Sequence, residues 1–194
     1  MSTNLAYQDY FEEEEREELI GGKIMLMSPR PAFNHNRVAS RIFWIFENYL
    51  NKKRCIAIAD GTDLYLTEED RFIPDMMVVC DRDKIRRKGV YGAPDLVVEV
   101  LSPGTARNDK GYKKNKYESS GVAEYWIVDP WRRSIEVYLL QDGRYALDNI
   151  YTLCPAEELA EMTDEEKAVF VTEFTCHLYD DLIIRLEDIF TDLF

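Results

Sequence analysis

Between residues 33 and 54 the apolar side chains Val38, Ile42, Ile45, Phe46 and Tyr49 recur at steps of three and four. That spacing lays one apolar stripe along a helix, so an amphipathic helix is predicted here, the clearest single element of the chain. Ahead of it, Glu18-Leu-Ile and Lys23-Ile-Met-Leu-Met27 flank Gly21-Gly22. Paired glycines accommodate positive φ in a tight turn, so the pattern predicts a hairpin, broken after its second strand by residues 28–31. Short apolar or alternating runs at residues 55–59, 63–66, 75–80 and 95–101 predict strands. Residues 107–120 predict a second helix, ended by Gly121. Strands are expected again at 124–129, 134–140 and 145–147, with turns at Asp129-Pro130 and Asp142-Gly143. Residues 1–17 are expected to form an acidic appendage with a short surface helix, and the acidic stretch 155–168 a surface excursion. Residues 169–174 and 182–194 regain enough apolar character to return to the core. Without repeats or linkers, the pattern predicts one α/β domain with a mixed sheet.

Composition narrows the class. A chain of 194 residues suffices for one domain with a substantial core. Its 46% hydrophobic content, with 12 Tyr, 9 Phe and 3 Trp, excludes disorder. The apolar runs are far too short to cross a bilayer, and no basic segment followed by an apolar run marks a secretory signal. Cys55, Cys80, Cys154 and Cys176 are widely spaced, which predicts small apolar residues in a reducing compartment, not a disulfide framework or a zinc site. A cytoplasmic protein without a membrane partner is expected. The net charge of −13 argues against a polyanionic partner. Residues 82–116, however, carry +6 and the remainder −19. That basic stretch brackets the strongest chemical candidates and raises the prospect of a nucleic-acid partner.

Those candidates lie in Pro94-Asp-Leu-Val-Val-Glu-Val-Leu101. Leu96, Val98 and Val100 point to one face of the predicted strand; Asp95, Val97, Glu99 and Leu101 point to the other. Such a continuous β-forming run suits a strand covered on both faces, with Glu99 in its middle. A carboxylate there loses hydration unless a cation, a Lys or Arg, or a metal compensates it. Asp75, ahead of Met76-Met-Val-Val-Cys80, poses the same question. Two acids entering a sheet from adjacent strands would make an oxygen-rich site suited to Mg²⁺. The bland alternative pairs Glu99 with a buried Lys and leaves Asp75 capping the turn after Pro74. Tyr125 and Trp126 read as core aromatics rather than as a base-stacking platform.

Ile73-Pro-Asp-Met-Met-Val-Val79, Ala93-Pro-Asp-Leu-Val-Val-Glu-Val-Leu-Ser-Pro103 and Gly121-Val-Ala-Glu-Tyr-Trp-Ile-Val-Asp-Pro130 together resemble the Uma-type restriction-endonuclease family of the PD-(D/E)XK nuclease superfamily. The resemblance runs from about Glu18 to Pro130. It implies a restriction-endonuclease-like fold, a mixed central β-sheet flanked by helices with extra antiparallel strands. It makes Asp75 the aspartate of the second core strand and Glu99 the acid of the E-x-K element. Position 101 is Leu, so the usual lysine is missing there. The resemblance implies a lysine from the following helix: Lys113, which shares an i, i+4 face with Asp109 and Tyr117, or else Lys114 or Lys116. Glu18 would complete the metal site. His35 falls near a family histidine and stands with Asp95 and Lys116 as a secondary candidate.

The function implied by the resemblance is that of an Mg²⁺-dependent (or Mn²⁺-dependent) endonuclease that cleaves DNA with metal-activated water. A homodimer is expected, since two-fold symmetry suits a duplex. Asp75, Glu99 and Glu18 would bind the metal, and Lys113 would orient water or neutralise developing charge. The rivals are a family member that binds nucleic acid without cutting it, and a partner-binding domain that kept the fold alone.

Overall fold

The computed structural model describes residues 16–27 and 32–194. The expected N-terminal surface helix and the strand break at 28–31 fall outside the described residues. Strands β1 (Glu17–Ile20) and β2 (Lys23–Leu26) form the expected hairpin around Gly21 and Gly22, both at positive φ. Helix α1 (Phe33–Leu50) follows, burying Val38, Ile42, Phe46 and Leu50 along the stripe that its spacing defines.

The chain then alternates between two sheets. The central one comprises β3 (Ile56–Ala59), β6 (Met76–Val79), β9 (Leu96–Val100), β10 (Glu124–Asp129), β11 (Ser134–Gln141) and β12 (Arg144–Thr152). Their order across the sheet is β12-β11-β10-β9-β6-β3. Only the β9–β10 pair is parallel, so the sheet is mixed. Parallel neighbours need a crossover, and the helical segment of residues 106–120, here the site helix, supplies it. The second sheet adds β4 (Leu64–Tyr65), β5 (Arg71–Phe72), β7 (Ile85–Arg86) and β8 (Gly89–Tyr91) to the hairpin. Its order is β2-β1-β5-β4-β8-β7. Strands β13 (Glu173–Thr175) and β14 (Ile183–Arg185) pair separately, ahead of the C-terminal helix Leu186–Phe190.

Strand β9 separates two cores, as its alternation predicts. Leu96, Val98 and Val100 join α1, Trp126 and the returning tail residues Phe174, Ile184 and Ile189. Val97 and Leu101 join Leu64, Phe72 and Val90 of the second sheet, together with Tyr117 and Tyr125. Trp126 and Tyr125 are fully buried on opposite faces, the core role expected of them.

Three features depart from the sequence expectations. Cys55 and Cys80 form a disulfide instead of lying free. Ile56 pairs with Val79, so the flanking residues 55 and 80 meet across antiparallel strands. Only Cys154 and Cys176 remain as buried thiols, and the thiol-based case for a reducing compartment fails for the other pair. Strand β12 is longer than the predicted 145–147, because it pairs along the whole of β11, with a register shift between Val137 and Tyr138. The site helix contains a π-helical turn, Asp109–Lys113, inside the predicted span. No described helix is long and apolar enough to cross a membrane.

Gly89 links the strand order to a local requirement. Its φ is +151°, and a Cβ there would stand 2.2 Å from the Asp63 carbonyl oxygen, which accepts the Val90 N–H across the β4–β8 pair. Gly89→Ala is therefore expected to lower the denaturant midpoint, with backbone strain alone costing about 1–3 kcal/mol. Gly61→Ala, also at positive φ but facing open space, should lose less.

Candidate active site

The candidate site forms where the second sheet, the central sheet and the site helix meet. In the β6–β9 pair, Met76 lies opposite Val98 and Met77 opposite Val97. One further step sets Asp75 across from Glu99, and the alternation of β9 turns Glu99 toward the second sheet. From there β1 presents Glu18, and the site helix supplies Asp109, Lys113 and Tyr117.

Lys113 is the centre of the group. Its Nζ lies 2.8 Å from Glu18 Oε1, 3.2 Å from Glu99 Oε1 and 3.5 Å from Asp109 Oδ1. Its side chain is 3% exposed, and those of Glu18, Glu99 and Asp109 are comparably buried. The Phe72 ring lies 5.6 Å from the ammonium. Burial works against the charged lysine, but Glu99, Glu18 and Asp109 together hold its pKa well above the ordinary value. The Tyr117 hydroxyl donates to Glu99 Oε1 at 2.7 Å, and Glu18 Oε1 also accepts the Ile73 N–H at 2.8 Å.

Negative charge is in surplus here. Burial raises the Glu99 pKa well above the carboxylate range; Lys113 opposes that rise, while Asp109, Asp75 and Glu18 add to it. Asp109 is raised for the same leading reason, burial. Apart from Lys113, its Oδ1 has no partner among the described residues. Asp75 Oδ2 accepts the Val100 N–H at 2.7 Å and lies 3.4 Å from His35 Nε2. Burial opposes a charged His35, yet Asp75, with Asp60 and the Val100 carbonyl, carries its pKa above the usual imidazole value. Arg16, paired with Asp60, lies in the field of Asp75 and Glu18 as well.

The fold therefore brings together Glu18, Asp75, Glu99 and Lys113, with His35 on Asp75. Two secondary candidates stand elsewhere. Asp95 accepts the Cys80 N–H at 2.7 Å, near the start of β9, because it lies four positions of extended strand before Glu99. Lys116 pairs with Asp70 at 2.8 Å. Lys114 sits over the Tyr138 ring, 3.5 Å from its centroid. These three lysines diverge because consecutive helix positions point in different directions. Asp109 is the site acid to which the sequence assigns no part; its i, i+4 spacing from Lys113 is the signal that exposes it.

Among the described residues, no three His, Cys, Asp or Glu side chains form a ready metal cage; the Lys113 ammonium stands among the acids. The chemistry of the donor set nevertheless fits a hard divalent cation. All the donors are oxygens, Asp109 Oδ1 is under-bonded among the described residues, three carboxylates surround one lysine, and Asp75 adds its charge to the field at Glu99.

The basic stretch is largely engaged within the molecule. Arg82 donates to the carbonyls of Arg54 and Lys53, Lys84 to that of Ala93, and Lys110 pairs with Glu136. Arg86, Arg87, Lys88 and Arg107 are exposed, and Arg86 lies over the Tyr91 ring at 4.6 Å.

Over residues 3–169 the chain matches the model of the Uma2 family, described as a putative restriction endonuclease. An uncharacterized protein of Synechocystis sp. (strain ATCC 27184 / PCC 6803 / Kazusa) is 29% identical over 144 residues, covering 71% of this chain and 75% of the relative. The crystal structure of a putative nuclease belonging to DUF820 from Anabaena variabilis ATCC 29413 superposes with a TM-score of 0.63. It covers 91% of this chain and 90% of its own, and at 19% identity that likeness speaks for the fold. Matched over most of its length, the chain belongs to the Uma2 restriction-endonuclease family.

Proposed function

We propose that this protein is a divalent-cation-dependent endonuclease that hydrolyses DNA phosphodiester bonds with water as the nucleophile. The observation that carries the reading is the gathering of Glu18, Glu99 and Asp109 around one buried ammonium, with Asp75 in the field of Glu99. A fold needing only a buried ion pair would be better served by one acid than by several. The family's description supports the substrate class.

In-line attack by water places extra negative charge on the phosphate oxygens. Asp75 and Glu99, with Glu18 beside them, would hold Mg²⁺ or Mn²⁺, which polarises phosphate oxygens and acidifies bound water. The chain's own residues fix those carboxylates beforehand. Asp75 is held through Oδ2 by Val100 and His35, and Glu99 through Oε1 by Tyr117 and Lys113. Lys113 stays protonated, so it serves as a fixed positive charge and hydrogen-bond donor toward water or phosphate, not as a base. A two-fold homodimer would present two such sites to the two strands of a duplex.

A second reading, a charge lock without chemistry, draws on how completely Lys113 is enclosed. Glu99→Gln separates the two. The folded-state pKa of Glu99 is raised, so its ionisation penalises the metal-free fold as pH climbs from the ordinary carboxylate range toward that raised value. The neutral substitution removes this penalty. Under the nuclease reading, Glu99→Gln loses Mg²⁺-dependent nicking of plasmid DNA, while its metal-free melting temperature at neutral pH is equal to or above the parent's. A large drop in that temperature, with a parent that never cuts, would establish the lock.

Lys113→Gln should lose turnover and also destabilise the metal-free protein by about 3–5 kcal/mol, since it leaves buried acids without their base. Added Mg²⁺ should then raise its melting temperature more than the parent's. Lys114→Ala should behave like the parent in both assays.

DNA binding should weaken on reversing Arg86, Arg87 and Lys88 to glutamate. For each phosphate that the protein no longer neutralises, the slope of log K against log salt should shrink by about 0.9. An unchanged slope in fluorescence anisotropy would move the DNA interface away from β7–β8.

A further inference from the structure

Asp70 lies just ahead of β5 and is fully buried. Its carboxylate accepts four bonds. Oδ1 takes the Gly21 N–H and the Tyr112 hydroxyl, both at 3.0 Å. Oδ2 takes the Thr67 hydroxyl at 2.7 Å and the Lys116 ammonium at 2.8 Å. An ionised carboxylate offers about four acceptor sites, so this one is saturated. Burial alone would raise its pKa, but Lys116, Gly21, Thr67 and Tyr112 together carry it below the usual value.

The origin of the donors gives Asp70 a role at the site. Gly21 belongs to the turn that closes β1, the strand bearing Glu18. Tyr112 and Lys116 flank Lys113 on the site helix. Glu18 and Lys113 are the 2.8 Å pair at the heart of the cluster. Among the described residues, no other side chain outside these two elements bonds to both. A second observation points the same way. Gly21 has φ +57°, and a Cβ on it would stand 3.0 Å from the Tyr112 hydroxyl oxygen. A side chain at position 21 would crowd the Tyr112 hydroxyl, so the turn and the helix meet closely, with Asp70 bonded to both sides of the contact.

We infer that Asp70 is a positioning residue: by bonding the β1–β2 turn and the site helix together, it sets the distance between Glu18 and the Lys113 ammonium. Its effect on cleavage rests on the nuclease reading above; its effect on geometry does not.

Two NMR readouts on the metal-free protein report that geometry without any cleavage. One is hydrogen exchange of the Ile73 amide, held by Glu18 Oε1; the other is the Lys113 ammonium resonance. Asp70→Asn replaces one acceptor oxygen with a donor amide facing other donors. It should speed Ile73 exchange about tenfold, the change expected on losing a charge-assisted hydrogen bond, and shift or broaden the Lys113 signal. Lys116→Met and Tyr112→Phe each remove one bond and should move both readouts less, in the same direction. They carry the test if Asp70→Asn does not fold. Asp70→Asn with Lys116→Gln, which offers an amide oxygen to the new amide, should recover part of the change, while Lys114→Met should change neither signal.

Cleavage by Asp70→Asn should show kcat reduced about tenfold or more with KM for DNA retained, the pattern of a misplaced catalytic group. Unmoved Ile73 and Lys113 signals overturn the inference. So does equally accelerated exchange at the distant Val137 amide, which marks a general loss of stability, or displaced signals with parent-like kcat. A parent that does not cleave sinks the nuclease reading alone, because the exchange and ammonium measurements still decide the positioning role.

Discussion

The need to compensate one buried ammonium organises this molecule. Lys113 cannot leave water without partners, and those it has come from separate parts of the fold: Glu18 from the second sheet, Glu99 from the central sheet, and Asp109 from its own helix. Satisfying it requires both sheets and the crossover helix in their native relation. The same convergence leaves more acid than base, which an ordinary ion pair does not.

Strand β9 is where fold and chemistry were most legible in the sequence. Its five residues alternate between two cores, and a carboxylate in such a run demands an explanation from composition alone. Asp75 was visible as its counterpart because Pro74 and the Met76–Val79 run fixed where a strand begins. Lys113 was visible only through helical spacing together with family resemblance. The π turn interrupts the helix yet leaves Asp109 and Lys113 in contact.

Features that depend on long-range register were not legible. Strands β5 and β7 have two residues each, too few for any periodicity. Asp70, in Glu68-Glu69-Asp70, reads as one more acid in a polar turn; its role depends on partners 42 and 49 positions away. The Cys55–Cys80 bond likewise depends on a strand register that the separation of 25 positions conceals. The local basic excess was visible, but not that Lys84, Lys110 and Lys116 were engaged within the molecule. The exposed positive charge is consequently narrower than the count over residues 82–116 implies.

The bond from Glu18 to the Ile73 amide spans 55 positions, whereas the Glu99–Lys113 contact spans 14. Loop closure makes the longer contact the slower one to form. On the way to the native state, β9 and the site helix can assemble as a local crossover while Lys113 remains hydrated. Desolvation of the ammonium then waits for the hairpin to dock. A barrier crossed before that docking leaves the Glu18 contacts absent from the transition state, so the charge cluster acts chiefly as a brake on unfolding. Under that order of events, the native lifetime of the protein would depend on the Glu18 contacts.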